Sequence, residues 1–301
     1  KALSWISMRP CICRARQRLP ALPPGAARVS LSARTPPYLP FTHGVPGFEP
    51  GLKPIPAAQW LTPDTEAEAW LRDKCLILKM MRANVVAGDT SGDAAEEALE
   101  RIISATGQVP NQSMPTALEE AASIVSDDLC LMQEYHPGDW RLIGGVLCAP
   151  TYWTLPERIG LDLAGLHGPV PGGDSDLSPR VARIFTGLKP DVVLERFNWT
   201  VQASEKRYTP DRPTVAGKQL DALHFREERQ TIRKLNATKA VLFSIRVSVD
   251  PLLPILSDPE AREAFEDAWL GAGPDLRRYK RWDALEPLVS QACRKSGRRR
   301  A

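Results

Sequence analysis

Nothing in this chain approaches eighteen consecutive apolar residues, which excludes a transmembrane helix. The six cysteines, Cys11, Cys13, Cys75, Cys130, Cys148 and Cys293, include no CxxC pair, so the spacing of a zinc or iron–sulfur site is missing. There is no GxSxG elbow, no GxxxxGK[ST] loop and no GxGxxG following a strand, which argues against serine hydrolysis and phosphate cradling. Four histidines, His43, His136, His167 and His224, are too scattered for a local metal motif such as HExxH. Acidic residues are missing from both ends: residues 1–40 carry seven Lys or Arg, and residues 294–301 five more, with no Asp or Glu in either stretch.

What remains is globular. At 43% hydrophobic and 25% charged over 301 residues, the chain can build one large or two modest cores. Although the net charge is +3, the body between the basic ends holds 27 basic against all 36 acidic residues. A body that acidic is a poor nucleic-acid surface, because phosphate binding needs clustered Lys and Arg. The Arg-rich, Ser-containing start fits an organellar transit peptide or a disordered leader, so residues 1–36 are left out of the fold reading, as is the basic tail 294–301. Cys130 and Cys148 sit in apolar runs and read as buried free thiols. That favours a reducing compartment: the cytoplasm, or the mitochondrion if the leader is a transit peptide.

Along the chain, residues 38–60 are rich in Pro and Gly and predict an irregular arm laid over the core. Thr62-Pro-Asp64 offers a helix cap, after which Trp70, Leu71, Cys75, Leu78 and Met81 recur at helical spacing. Further helices are expected over 94–105, 115–125 and 177–188, the last with Ser178 as a cap and Pro179 at its first position, and one or two helical turns over 156–166, ending at His167-Gly-Pro169. Residues 127–133 and 140–148 predict a hairpin across the turn sequence Tyr135-His-Pro-Gly-Asp139, and 192–201 a strand. The C-terminal part predicts helices over 257–269 and 282–293. Helices, then mostly antiparallel strands, then helices make an α+β fold.

One stretch divides the local rules. Residues 223–235 contain Arg226, Glu227, Glu228, Arg229, Gln230 and Arg233, which favour helix, yet the short Asn236–Lys239 turn leads into an evident strand and favours a hairpin. Arg246 then falls inside the apolar run 240–249, where a guanidinium costs several kcal/mol to bury unless an anion meets it. Either a structural Arg–Glu network or a pocket wall facing a charged ligand satisfies that demand, with Glu228 or the ligand as partner. His167 is the other residue set apart by context. It ends a short amphipathic segment and is followed by Gly-Pro-Val-Pro-Gly172. It reads either as a cap on its own helix C-terminus or as the sole protein ligand of a haem, whose porphyrin supplies four nitrogens. Asn198-Trp199 follows Arg196-Phe197 on a strand, where Trp reads as core or as cofactor contact.

Several segments together carry a resemblance: Asp128-Leu-Cys-Leu-Met-Gln133, Trp140-Arg-Leu with Cys148-Ala-Pro150, Leu166-His-Gly-Pro-Val-Pro-Gly172, Phe197-Asn-Trp-Thr200, Arg226-Glu-Glu-Arg-Gln-Thr-Ile232 and Phe243-Ser-Ile-Arg246, preceded by Tyr38-Leu-Pro-Phe41 and Gly51-Leu-Lys-Pro54. In this order, over about residues 38–290, the chain resembles the haem-dependent oxidative N-demethylase α-subunit-like family. The resemblance implies one haem-binding domain over 37–293: a PAS-like antiparallel sheet with flanking helices and an irregular N-terminal arm, in which 226–232 is a strand. It implies a haem b whose iron is held by His167, with Arg229, Asn198 and Trp199 also at the cofactor and Glu228, Arg226 and Arg246 as catalytic candidates. One or more of the arginines would meet the haem propionates, and Glu228 would hold a protonated amine. The implied activity is oxidation of a small secondary amine by dioxygen, with electrons from NAD(P)H through a flavin and iron–sulfur reductase partner. A haem-binding PAS-like sensor without turnover is the alternative. The sequence departs from the family pattern at Gly173, where a larger residue is expected. It departs again at Val247-Ser248, which replace a Thr-Tyr pair and would reshape the pocket.

Overall fold

The computed structural model describes residues 36–62, 64–110 and 113–297. Most of the basic leader, Cys11, Cys13 and the last four residues of the tail lie outside that range. The described residues form a seven-stranded sheet in the order β1-β5-β6-β7-β3-β4-β2, with every neighbouring pair antiparallel. The strands are β1 (Lys53–Ile55), β2 (Val86–Gly88), β3 (Asp128–His136), β4 (Asp139–Val146), β5 (Val193–Gln202), β6 (His224–Lys234) and β7 (Val241–Pro251). Helices flank it: α1 (Ala67–Val85), α2 (Asp93–Thr106), α3 (Ala117–Ile124), α4 (Leu163–His167), α5 (Ser178–Gly187), α6 (Leu252–Ile255), α7 (Pro259–Leu270), α8 (Pro274–Lys280) and α9 (Glu286–Gly297). The α+β expectation holds. No described helix is long and apolar enough to cross a membrane.

The predicted hairpin is β3–β4, closed by Pro137-Gly138 with Gly138 at φ +84°, a conformation glycine adopts without a Cβ penalty. The helix expected over 115–125 is α3, whose apolar stripe Leu118, Ala121 and Ala122 is buried, as is Val125 just after it. The stripe of α1 differs from its expectation. Trp70, Leu78 and Met81 are buried, but Lys74 takes the place foreseen for Cys75. Its Nζ donates to the carbonyls of Val125 (3.1 Å) and Asp127 (2.5 Å) and lies 3.9 Å from the Asp128 carboxylate. Asp128 in turn accepts the backbone N–H groups of Cys148 and Ala149. A buried lysine is tolerated here because three acceptors replace its water. Four elements were not foreseen: edge strands β1 and β2 and helices α6 and α8. All are seven residues or shorter, too short for periodicity to register.

The disputed stretch is a strand, and the reason is tertiary. β6 pairs with β5 from His224↔Gln202 to Arg233↔Val193, and with β7 along its whole length. Two ladders outweigh a helix preference worth a few tenths of a kcal/mol per residue. Both faces of β6 are covered, so no polar-out alternation marks it in sequence: His224 through Arg229 are all buried.

Two cores flank this sheet. The larger collects α1, α2, α3 and α5 around β3, β4 and β7. The smaller is aromatic, with Phe41 edge-on to Trp199, Phe225 and Phe265, and Trp269 stacked on Trp282 at 4.2 Å. Phe41 comes from the arm, which is anchored as expected and also contributes β1.

Arg246 has a different partner from either foreseen. Its Nη2 and Nε donate to Asp127 Oδ2 at 2.6 and 3.1 Å, and its Nη1 reaches the backbone and hydroxyl of Thr62. Asp127 precedes β3, so local sequence gave no hint of the pairing. Asp127→Ala leaves a buried guanidinium uncompensated and should cost about 3–5 kcal/mol in urea unfolding, whereas the double change Asp127→Leu with Arg246→Met should cost far less. A loss under about 1 kcal/mol for the single variant, typical of exposed pairs, would refute this account.

Candidate functional site

Strand register sorts the sequence candidates onto two faces, because successive side chains alternate and directly paired residues share a face. Glu228 pairs with Asn198 on one side and Val247 on the other, and Arg226 with Thr200 and Val249. Arg196, Asn198, Arg226, Glu228 and Gln230 therefore share one face. Arg229 pairs with Phe197 and Arg246, and Glu227 with Trp199 and Ser248. Arg229, Arg246 and Trp199 thus lie on the opposite face. The structure brings Glu228, Arg226 and Asn198 together and separates them from the other three. Ser248 also belongs to the opposite face, so the missing aromatic at that position leaves the Glu228 side unchanged.

On the opposite face the charges hold the arm. Arg229 donates to Glu195 (2.5 Å) and to the carbonyls of Gln59 (2.5 Å) and Trp60 (2.8 Å). Trp199 is part of the aromatic core, 4.9 Å from Trp282 between ring centroids. Glu227 is buried, and burial, with Glu228 beside it, pushes its carboxyl well above the usual range.

On the Glu228 face a hydrogen-bonded chain crosses three segments. Arg226 is fully buried: its Nε donates to Thr151 Oγ1 (2.8 Å), Nη1 to Gln202, Arg207 O and Thr209, and Nη2 to Ala149 O and Pro150 O. Thr151 passes its own proton to Glu228 Oε1. Glu228 Oε2 accepts from Asn198 Nδ2 (3.1 Å) and Gln230 Nε2 (2.9 Å). Lys280, at the end of α8, donates to Asn198 Oδ1 (2.8 Å) and to Trp199 O (2.7 Å). An ammonium only donates, which fixes the Asn198 oxygen toward Lys280 and its NH2 toward Glu228. Burial brings the Lys280 amine down to about 8 although Glu228 pulls the other way. Tyr152 borders this set at φ +66°, a conformation unusual for a non-glycine residue and held by Tyr152 N donating to Thr209 O. The Arg212 guanidinium lies 4.4 Å over its ring and ties it to α8 through the carbonyls of Tyr279 and Lys280.

His167 closes α4, whose first turn is capped by Asp162 accepting from Gly165 N. The chain then turns through a π-helical segment, Gly173–Leu177, into α5. Ser178 is not the cap that the sequence suggested. Leu177 stands at the cap position, already helical, and the Ser178 hydroxyl lies 2.9 Å from Leu163 O, 2.5 Å from Gly173 O and 3.1 Å from His167 Nδ1. A hydroxyl has one proton, and both carbonyls can only accept it. Ser178 therefore accepts from His167, whose proton sits on Nδ1. Nε2 keeps its lone pair and makes no hydrogen bond among the described residues. Burial and the nearby Arg196 charge lower the imidazole's pKa, so it is neutral in neutral solution. Gly173 is required for this geometry: an added Cβ would lie 1.9 Å from the His167 carbonyl oxygen and 3.0 Å from its Cβ.

Arg196 is the residue that sequence reasoning missed. Its charge is felt by His167 and balanced only partly by Glu228. Its signal was its place, two residues before Asn198 on one strand face. Two surface clefts among the described residues lie elsewhere. One of about 550 Å³ is lined by Asp89, Arg141 and Thr238, and one of about 250 Å³, lined by Phe48, Pro171, Gly172 and Arg180, flanks the turn after His167.

An imidazole with a fixed Nδ1–H and a free, neutral Nε2 fits a haem iron, since second-shell hydrogen bonding at the other nitrogen is what orients such ligands. Heteronuclear NMR of the imidazole nitrogens in the apoprotein should show His167 as the Nδ1–H tautomer, and Ser178→Ala should abolish that preference. Gly173→Ala should displace the His167 backbone and lower stability by about 2 kcal/mol, in the range of overpacked cores. An unchanged tautomer in the serine variant would contradict the hydrogen-bond assignment.

A protein-family comparison matches residues 102–290 to the model described as haem-dependent oxidative N-demethylase, alpha subunit-like. The match spans His167, Arg196, Glu228 and Lys280 and begins after the arm and α1.

Proposed function

This chain belongs to the haem-dependent oxidative N-demethylase, alpha subunit-like family, and we propose that it is the haem b-carrying subunit of an enzyme that oxidises a small amine. The observation that carries the reading is His167: Nδ1 is committed to Ser178, and Nε2 is left with a free lone pair. We take the described antiparallel sheet as PAS-like and residues 37–293 as one haem-binding domain. Haem, when bound, supplies the redox-active iron that couples dioxygen reduction to oxidation of an N-methyl group.

The chain's own residues then have distinct tasks. His167 holds the iron. Glu228, on the sheet face it shares with Asn198 and Gln230, orients the amine, with those two residues fixing its Oε2. Lys280 holds a proton on Nζ at a pKa near neutral, beside Asn198. Arg226 has all its donors met by protein, so it builds the wall rather than touching a ligand. The reaction consumes dioxygen, two electrons and two protons per N-methyl group and releases the demethylated amine, formaldehyde and water. Electrons come from a flavin and iron–sulfur reductase partner fed by NAD(P)H, for which an alpha subunit implies a place.

The purified, haem-reconstituted protein should show a Soret band, lost in His167→Ala, and should release formaldehyde from a secondary amine when a reductant is supplied. A Soret band that survives His167→Ala defeats the ligand assignment. Haem without any amine-dependent formaldehyde favours a non-catalytic sensor. The pH dependence has a defined sign. Because the His167 pKa is lowered, the neutral imidazole persists as pH falls past its ordinary value of about 6.5, and the Soret band should fade only below that point. Loss of the band already at pH 7 would contradict this.

A further inference from the structure

Arg196 lacks what every other arginine of the candidate face has. Arg226 spends its donors on six protein oxygens, and Arg229 and Arg246 on the opposite face are met by Glu195, Asp127 and backbone carbonyls. Arg233, also opposite, has an unpartnered Nε as well, but its guanidinium lies 4.7 Å over the Trp60 ring. Arg196 makes no hydrogen bond and no ion pair with any described residue, and its Nε is buried and unpartnered. Buried guanidinium N–H groups are costly to leave unmet, and native structures rarely do so without a ligand or water to supply acceptors.

The protein itself offers no free anion here. The nearest carboxylate is Glu228, whose Oε1 already takes Thr151 and whose Oε2 takes Asn198 and Gln230. Lys280, Arg226 and Arg196 together outweigh its single charge, so the face has a net positive field. The segment Leu194–Asn198 is half-exposed, in contrast to the buried second half of β5, which leaves the guanidinium reachable. A planar fork with free donors is the group best shaped to receive a carboxylate through two parallel hydrogen bonds.

We propose that Arg196 is a carboxylate anchor, taking the acid group of the ligand that occupies the face between His167 and Glu228. Two sources supply that chemistry: a haem propionate, or the carboxylate of an N-methylated amino acid. The proposal rests on the reading of His167 as the residue facing that ligand.

The test compares wild type, Arg196→Gln and Arg196→Lys, each checked for fold by circular dichroism, with iron protoporphyrin IX and its dimethyl ester, followed by haem release to apomyoglobin. If a propionate is the ligand, Arg196→Gln speeds release of the free-acid haem by about tenfold or more, as loss of a charge-assisted hydrogen bond implies. The ester is then released at an unchanged rate, and Arg196→Lys recovers part of the loss. If the substrate is the source, both porphyrins are held equally while the Kd for N-methylglycine, read by tryptophan fluorescence, rises by about tenfold or more and that for dimethylamine does not. Either pattern supports the anchor. Equal acceleration for free acid and ester marks a merely structural role and overturns it, as does no change with any probe. A wild-type protein that takes up neither porphyrin refutes the haem reading alone. The N-methylglycine titration of apoprotein then decides the anchor by itself, and an unchanged Kd in Arg196→Gln overturns it.

Discussion

The structure depends on how loops and neighbouring strands meet the arginines that its central strands carry indoors. β6 runs between two antiparallel neighbours and has both faces covered, yet within it Arg226, Glu227, Glu228, Arg229 and Arg233 are all buried. Such a strand is possible only because the surrounding loops present carbonyls and carboxylates at the right places. Ala149, Pro150 and Arg207 supply Arg226, Gln59 and Trp60 supply Arg229, and Asp127 supplies Arg246 on the neighbouring strand. The same contacts fasten the arm and the loops following β4 and β5 to the sheet. Electrostatic compensation and tertiary assembly are one event here, and breaking a single partner exposes the desolvation cost of the other.

Within that frame the candidate site is what compensation leaves over. Among the arginines of the Glu228 face, Arg226 is saturated, whereas Arg196 has no hydrogen-bonding partner among the described residues. His167 is committed at Nδ1 and free at Nε2. Lys280 is held by Asn198 and Trp199 while burial lowers its pKa toward neutrality. Unspent hydrogen-bonding capacity in a buried setting is expensive, and a guanidinium and an imidazole that keep it near Glu228 are a physical argument for a ligand there, while Glu227, Thr231, Arg233 and Ser244 also bury unpartnered atoms on the opposite face. Two backbone features reinforce it: the close approach of Gly173 to the His167 carbonyl, and the positive φ of Tyr152. Gly173, a departure from the family pattern in sequence, is explained by that approach, since no side chain fits.

Much of the fold was legible. The hairpin β3–β4, the strand β5, and helices α2, α3, α5 and α7 lie where periodicity and turn chemistry put them. The helix-favouring stretch 223–235 was undecided because propensity is local while strand pairing is not, and the family resemblance was needed to read it as a strand. His167 stood out through the abrupt Gly-Pro-Val-Pro-Gly that follows it. What escaped were the relations between segments remote in sequence: Ser178 turned inward to His167 rather than capping α5, Asp127 meeting Arg246, and Lys280 reaching Asn198.

By itself the sequence determined the α+β class, the acidic body between basic ends and the family, because composition, short-range periodicity and ordered motifs are properties of the chain alone. Only the tertiary structure decided which polar residues are structural and which remain available. Strand register put Glu228, Asn198 and Arg196 on one face and Arg229 and Arg246 on the other. A one-residue alternation, invisible in composition, separates the Glu228 face from the charges that pin the arm, and only the paired strands fix its phase.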